Sequence, residues 1–399
     1  TAAAKHARKR QENQALSVDL SPYRLKTLYS SSVEAGPDHG QVWRGLSREL
    51  YFAGPKGGLR AGDSVILRAD LQGRKITRLR EGRGMPAISP DGTALLSVGF
   101  MPSEHYLEMA DGYDGTHAPR RFIPSRESRY FPAWNAVQTR VLFLGTDGRL
   151  MIMHSNGTNK HVFNPKDLDS KVWLSDKRAA FTLQWRDSGD RYRVWCSKPD
   201  GTDEKLIYEA EASSISPPQW SADSKRVAFI IGKHTESSIR TLNADGSWPR
   251  NFFTTPDSLS LLRWSPDGLR LAWICERHNQ GVQELWTAEV QGLNPERIMS
   301  SRGRLSSLSW SPQSKHLALQ ETLDWRFLGL RLVKPDLNNV VMVDLVERLP
   351  RYMTRYGLMS RQPAYAPQGD AIGYFTDQRP WYPGLLRTRS SALVISQLF

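Results

Sequence analysis

Short runs in which apolar and polar residues alternate recur along the whole chain, separated by Gly, Pro, Asp and Ser. The run WSPDGLRLAWICE, which begins at Trp264, closely matches WSADSKRVAFIIG at Trp220, 44 residues earlier (264 − 220). Alternation predicts β-strands. Pro-Asp-Gly between two such runs predicts a tight turn, because Pro fixes φ at about −65° and Gly accepts positive φ. The pattern therefore predicts a repeated unit of antiparallel strands.

The opening position of this repeat can be followed through eight copies, at Trp43, Ile88, Trp134, Trp173, Trp220, Trp264, Trp310 and Tyr365. A second series of turn glycines keeps the same phase over most of the chain, at Gly73, Gly115, Gly157, Gly201, Gly246 and Gly292. A period of about 40 to 50 residues is typical of one four-stranded propeller blade. The sequence thus predicts an all-β protein that is a single propeller of eight four-stranded blades.

The two ends of the chain predict how the propeller closes. The last copy supplies three strands, whereas the strand-like run from Tyr23 to Ser32 precedes the first copy. We expect this N-terminal strand to complete the last blade in a 3+1 closure, which would remove exposed sheet edges. The propeller domain would cover residues 23–399, after a flexible basic segment over residues 1–22. Seven blades are the alternative, because Trp185 imitates the motif within the fourth copy and the seventh copy lacks a clear Gly turn.

Charge changes the expected class of partner. The chain has 54 basic and 41 acidic residues, a net charge of +13, which favours an acidic or membrane-associated protein partner, anionic lipid or acidic polysaccharide. No nucleic-acid motif accompanies the charge, so we do not expect a nucleic-acid partner. No apolar run reaches the roughly 18 to 20 residues that span a bilayer. Because the sequence begins at Thr1 without Met, we expect an upstream signal peptide, anchor or domain.

The phrase WSPDG, followed by an alternating strand such as LRLAWI and then by DG with Thr or Ser, resembles the TolB-like propeller repeat of bacterial proteins. The resemblance covers the chain from about Tyr23 to Phe399. It implies a propeller of a kind found in periplasmic scaffolds, in prolyl-oligopeptidase-type enzymes and in oligogalacturonate lyases. TolB itself would add an N-terminal α/β domain to a six-bladed ring, and this sequence shows neither.

Motifs for catalysis are sparse. There is no G-x-S-x-G nucleophile elbow, no H-E-x-x-H, no C-x-x-C and no P-loop, and the nine His are scattered singly. Cys196 and Cys275 lie in strand-like runs of different copies, where we expect buried, unpaired thiols. The sequence predicts no catalytic residue, no metal site and no cofactor, and it favours a protein that is not an enzyme.

Candidate binding residues lie in the long, individual connections that we assign to one face of the propeller, because function on repeat scaffolds concentrates in such loops. Arg and aromatic residues are typical of binding hot spots. The candidates are Arg83, Arg126, Arg129, Arg304, Trp325, Arg351, Arg355, Trp381 and Tyr382. The alternative is a solvated rim in which these arginines pair with Glu81, Glu127 and Glu347.

Three functional hypotheses follow from these observations. The first is a non-enzymatic, extracytoplasmic propeller, periplasmic or anchored through an upstream segment, that binds a protein partner through the loop-rich face as an accessory or scaffold subunit of an envelope or membrane-associated complex. The second is an enzyme or binder for acidic oligosaccharides, similar to oligogalacturonate lyase. The third is the sensory domain of a membrane-anchored regulator. The sequence favours the first.

Overall fold

The computed structural model confirms the all-β class, because all 33 secondary-structure elements over the described residues are strands. Placement is described for residues 24–31, 41–43, 49–55, 64–70, 75–81, 83–89, 94–101, 104–111, 120–123, 130–134, 140–144, 150–162, 172–174, 179–187, 189–197, 203–291, 294–323, 337–354, 360–366, 368–377 and 391–397. Within these ranges the strands form eight antiparallel sheets.

Sheets 1 to 4 each contain four strands in chain order. Sheet 1 has β2 (Gln41–Trp43), β3 (Glu49–Pro55), β4 (Ser64–Asp70) and β5 (Lys75–Glu81). Sheet 2 has β6 (Arg83–Ile88), β7 (Ala94–Met101), β8 (Glu104–Asp111) and β9 (Arg120–Ile123). Sheet 3 has β10 (Tyr130–Trp134), β11 (Arg140–Leu144), β12 (Leu150–His154) and β13 (His161–Val162). Sheet 4 has β14 (Val172–Leu174), β15 (Ala179–Asp187), β16 (Gly189–Ser197) and β17 (Lys205–Glu211).

Sheets 5 to 8 complete the set. Sheet 5 has β18 (Ser214–Ile215), β19 (Gln219–Trp220), β20 (Arg226–Gly232), β21 (Ser237–Asn243) and β22 (Arg250–Thr255). Sheet 6 has β23 (Ser258–Trp264), β24 (Arg270–Arg277), β25 (Val282–Glu289) and β26 (Glu296–Ser301). Sheet 7 has β27 (Arg304–Trp310), β28 (His316–Leu323), β29 (Leu337–Asp344) and β30 (Pro350–Tyr352). Sheet 8 has β31 (Ser360–Tyr365), β32 (Ala371–Asp377), β33 (Ser391–Gln397) and β1 (Arg24–Ser31).

Sheets 4 and 5 each contain a local departure from the simple repeat. The fourth repeat begins at Trp173 in β14, and Trp185 lies in the second strand of the same sheet. In sheet 5, β18 and β19 both pair with β20, and they occupy the place of a single first strand. Pro217 and Pro218 separate them, since proline has no N–H to donate to a ladder.

The Asp residues of the repeat stabilise turns, as the sequence predicted. Asp267 Oδ1 accepts hydrogen bonds from Ser265 Oγ at 2.5 Å and from the Leu269 N–H at 2.9 Å. Gly268 adopts φ +69° and donates its N–H to the Ser265 carbonyl. Burial alone would raise the pKa of Asp267, but these hydrogen bonds hold it below its usual value.

Consecutive sheets pack on one another through apolar side chains. Trp264 of sheet 6 is buried against sheet 5 and donates its indole N–H to the Gln219 carbonyl at 2.9 Å. On the other face of sheet 6, Ile274 and Leu285 pack against Leu319 of sheet 7. Both faces of an inner strand are therefore buried, and successive side chains point toward different neighbouring sheets. The repeat Trp at 264 is a core residue, as expected.

The two cysteines also lie where the sequence placed them. Cys196 and Cys275 are buried in different sheets, and neither forms a disulfide. Burial raises the pKa of the Cys275 thiol to about 11. Both therefore act as small apolar side chains.

The antiparallel strand order gives each sheet two different ends. The first-to-second and third-to-fourth connections lie at one end, which we call the turn end. The second-to-third connections and the links between consecutive sheets lie at the opposite end, which we call the loop end.

Candidate functional site

The structure describes only part of the candidate set. Arg304 is exposed at the loop end of sheet 7, at the start of β27. Arg83 begins β6, also at the loop end of its sheet. The remaining candidates apart from Arg351 lie outside the described residues: Arg126, Arg129, Trp325, Arg355, Trp381 and Tyr382.

Arg351 lies in a different place from the one expected. It belongs to β30, the fourth strand of sheet 7, and pairs with Met342 close to the turn end. Its side chain is exposed and forms a 2.6 Å ion pair with Glu347, which lies in the third-to-fourth connection. The turn over residues 345–349 contains no Gly, so no turn signal in the sequence marks this connection. Arg304 and Arg351 therefore lie near opposite ends of one sheet.

Arg304 projects from a tight link between sheets 6 and 7. Ser301 Oγ accepts the Gly303 N–H at 2.8 Å, and Gln283 Oε1 accepts the Leu305 N–H at 2.6 Å. A Cβ at Gly303 would come within 2.7 Å of the Thr322 carbonyl oxygen, so only glycine fits there without a shift. These contacts fix the backbone on both sides of Arg304.

A buried acid lies directly beneath this link. Glu321 Oε1 accepts a 2.5 Å hydrogen bond from Ser301 Oγ, and only 3% of the residue is exposed. Burial raises the pKa of Glu321, although hydrogen bonds from Ser301 and Tyr352 oppose the shift. Its cross-strand neighbour Asn339 is fully buried as well. The link that presents Arg304 thus contacts a buried acid through Ser301.

The loop end of sheet 6 contains a second buried acid, Glu284, which is 2% exposed. Its carboxylate accepts hydrogen bonds from Arg277 Nε at 2.8 Å, Arg297 Nη1 at 3.0 Å and Trp286 Nε1 at 3.0 Å. Arg277 also bonds Asp257 at 2.7 Å. Burial alone would raise the pKa of Glu284, but these donors lower it, so the acid stays ionised. These charges are satisfied internally and hold the end of the sheet together.

A hydroxyl and an imidazole meet at the same end. Ser258 Oγ lies 2.9 Å from His278 Nε2. A catalytic triad would need a carboxylate on the other ring nitrogen. Asp257 instead accepts the main-chain N–H of His278 through Oδ1 and bonds Arg277 through Oδ2. We therefore assign this pair no catalytic role.

Over the described ranges, no group of three or more His, Cys, Asp or Glu side chains is placed to hold a metal ion. The same residues include no helix with the length and hydropathy to span a bilayer.

Sequence reasoning missed Glu284 and Glu321. Each acid lies in a strand of alternating residues, QELWTAEV and LALQETL, where a polar position is normally read as solvent-facing. Because both faces of these strands are buried, alternation does not separate inside from outside here. One signal was present: Glu284 has the same strand parity as Trp286, so both side chains point to one neighbouring sheet.

The fold was compared with known proteins. No protein-family model matches the sequence, and no curated protein matches it either. The structure is similar to an oligogalacturonate lyase in complex with manganese, with 13% identity, 89% of this chain and 98% of that chain covered, and a TM-score of 0.57. It is similar to a eukaryotic initiation factor, with 10% identity, 92% and 87% covered and a TM-score of 0.56.

A third similar structure is the β-propeller domain of the Trilobed protease from Pyrococcus furiosus, with 12% identity, 80% of this chain and 98% of that chain covered, and a TM-score of 0.53. These likenesses confirm the β-propeller fold that the TolB-like resemblance implied. At identities of 10% to 13% these likenesses show the fold alone. The same fold carries different functions in the three proteins, so it assigns none of those functions to this chain.

Proposed function

We propose that this chain is a non-enzymatic propeller of eight blades that binds a protein partner through its loop end. The proposed partner surface is acidic, and the proposed setting is an extracytoplasmic envelope or membrane-associated complex in which the propeller is an accessory subunit. Closure of the ring by β1 is part of the proposal. It is supported by the seven-residue register that pairs β1 with β33, from Arg24 opposite Gln397 to Ser31 opposite Ser391.

Arg304 is the observation that carries the proposal. Its guanidinium is exposed and forms no ion pair with a residue that the structure describes. The backbone beside it is held by the Ser301, Gly303 and Gln283 contacts, so little backbone freedom is lost when an anion binds. An exposed guanidinium on a backbone held in this way suits bidentate recognition of a carboxylate.

The test compares two arginines of one sheet. Arg304→Glu reverses charge at the loop end, and Arg351→Glu is the matched control, also exposed but near the turn end. We expect Arg304→Glu to weaken capture of at least one partner about thirtyfold, which corresponds to one interface hot spot of about 2 kcal/mol, while Arg351→Glu keeps it. Quantitative mass spectrometry of proteins captured from the source cells measures this. Identical capture by wild type and Arg304→Glu, with both proteins folded, would overturn the proposed site.

A further inference from the structure

The large apolar side chains that the described structure exposes all lie at the turn end. They belong to four consecutive sheets, and their exposed fractions run from 36% to 84%: Leu206 in sheet 4, Trp248 in sheet 5, Leu269 in sheet 6, and Val346 and Leu349 in sheet 7. Leu269 lies in a first-to-second turn, and the other four lie in or beside third-to-fourth turns. We call these five residues the apolar tips.

The loop end of the same sheets has a different surface. Its described connections over residues 233–236, 256–257, 278–281 and 302–303 expose polar residues such as His234, Asn279 and Arg302. Scattered apolar residues are ordinary on a protein surface. Among the described residues their restriction to one end is not expected from chance exposure, and it indicates that the turn end meets an apolar environment.

Trp248 gives the strongest single indication. It has φ +54° and is 82% exposed. The equivalent turn position holds Asn159 in sheet 3, with φ +51°, and Asp203 in sheet 4, with φ +57°. Asn and Asp tolerate this left-handed conformation, whereas a bulky aromatic residue is disfavoured there. Folding stability therefore does not explain a Trp at this position, and a residue held against its preference is a candidate for function.

Exposed cations lie at the same end as the apolar tips, together with exposed acids such as Asp245 and Glu347. Lys225 of sheet 5 and Lys315 of sheet 7 occupy the turn position that Leu269 occupies in sheet 6, and both are exposed. Arg250 is exposed two residues after Trp248. Long basic side chains beside apolar and aromatic tips are typical of surfaces that lie in the lipid headgroup layer, where the amine meets phosphate and the ring lies at the boundary.

The spacing of the tips distinguishes a bilayer from a protein. Hot spots in protein interfaces cluster in one central, desolvated pocket. The tips instead stand on the turns of four different sheets, with charged residues between them, and the tip of each sheet could enter a fluid layer on its own. The net charge of +13 would also draw the chain toward an anionic surface. We propose that the turn end binds the surface of an anionic bilayer by inserting Trp248, Leu269 and Val346 into the headgroup region.

This membrane contact goes beyond the proposed function and does not depend on it. A propeller resting on its turn end directs its loop end away from the bilayer. Arg304 then faces the aqueous side, where a protein partner can reach it. The two proposals assign different ends of the sheets, so they can fail separately.

The experiment is flotation of the purified full chain with vesicles of phosphatidylglycerol and phosphatidylethanolamine. The test variant combines Trp248→Asn, Leu269→Thr and Val346→Thr, which removes three tips without changing charge. Asn is the residue that sheet 3 uses at the Trp248 position, so the turn should keep its conformation. We expect wild type to float with the vesicles and the triple variant to bind at least about tenfold more weakly.

A matched control changes three exposed polar residues at the loop end: Thr235→Asn, Asn279→Thr and Gln280→Thr. We expect this variant to float like wild type, and thermal unfolding to show all three proteins folded. Trp248→Asn alone serves if the triple variant fails to fold. Wild type that stays with the soluble fraction would overturn the proposal, as would tip variants that float like wild type, because attraction would then come from charge alone.

Discussion

The two ends of sheets 5 to 7 are built by different means. At the turn end, short hydrogen-bonded turns repeat from sheet to sheet: Ser221 Oγ donates to Asp223, and Ser265 Oγ donates to Asp267 in the same way. At the loop end, each sheet has its own arrangement, with Glu284 under two arginines in sheet 6 and Glu321 under a serine in sheet 7. The turn end is therefore stabilised by local geometry within each turn, whereas the loop end depends on buried ionisable groups.

Removal of one acid at each end should separate these two kinds of stabilisation most clearly. We expect Glu284→Ala to lower the free energy of unfolding by about 3 kcal/mol, because it leaves buried donors of Arg277 and Trp286 without an acceptor. Glu289→Ala removes an exposed partner of Arg270 at the turn end and should cost no more than about 1 kcal/mol. Urea denaturation measures both, and equal losses would contradict the comparison.

Glycine should be needed for different reasons at the two ends. Gly303→Ala places a Cβ 2.7 Å from the Thr322 carbonyl, and we expect a loss of about 2 kcal/mol. Gly268 at the turn end needs only positive φ, which Ser224 and Ser314 adopt at the same turn position. Gly268→Ser should therefore cost no more than about 1 kcal/mol. Thermal unfolding of the two variants measures both losses of stability. A larger loss for Gly268→Ser than for Gly303→Ala would contradict this prediction.

The loop end should also make the stability of the protein depend on pH, through the buried acid Glu321. Because burial raises the pKa of Glu321 above 4.5, wild type should lose stability as the pH rises from that value through the folded-state pKa. The loss is about 1.4 kcal/mol for each unit by which the pKa is raised. Glu321→Gln keeps an acceptor for Ser301 and cannot ionise, so it should escape this loss.

The measurement is urea denaturation of wild type and Glu321→Gln between about pH 4 and pH 8. The stability of wild type relative to the variant should fall with rising pH. Glu289→Gln is the control at the turn end, where 66% of the side chain is exposed. A difference between wild type and Glu321→Gln that does not change with pH would show that burial leaves this acid unperturbed.

Much of the fold could be predicted from the sequence because its signals are local. Pro-Asp-Gly turns and alternating strands depend on neighbouring residues, and the repeat made each signal appear several times. Trp264 could be assigned to the core for the same reason. Arg351 could not be placed, because the turn before it lacks Gly and its strand pairing with Met342 is set by sheet 7 as a whole.

The candidate site was harder to predict because its residues depend on contacts that no local pattern encodes. Arg304 was found as part of a loop, but its support by Gln283, 22 positions away from Leu305, was not visible in the sequence. Trp248 was overlooked because it lies in an ordinary turn. Only alignment with Asn159 and Asp203 of the other repeats, together with the φ that they share, reveals it as unusual.

The pairing of β1 with β33 affects the order in which the sheets form during translation. Arg24 pairs with Gln397, so the last ladder of sheet 8 joins strands that lie 373 residues apart in the sequence (397 − 24). At ordinary rates of translation, β1 waits roughly 20 to 70 s for its partner strand. The other sheets need only neighbouring segments and can form as the chain emerges. Sheet 8 should therefore be the last to form, and until then β1 is a strand that a chaperone would need to shield from wrong pairing.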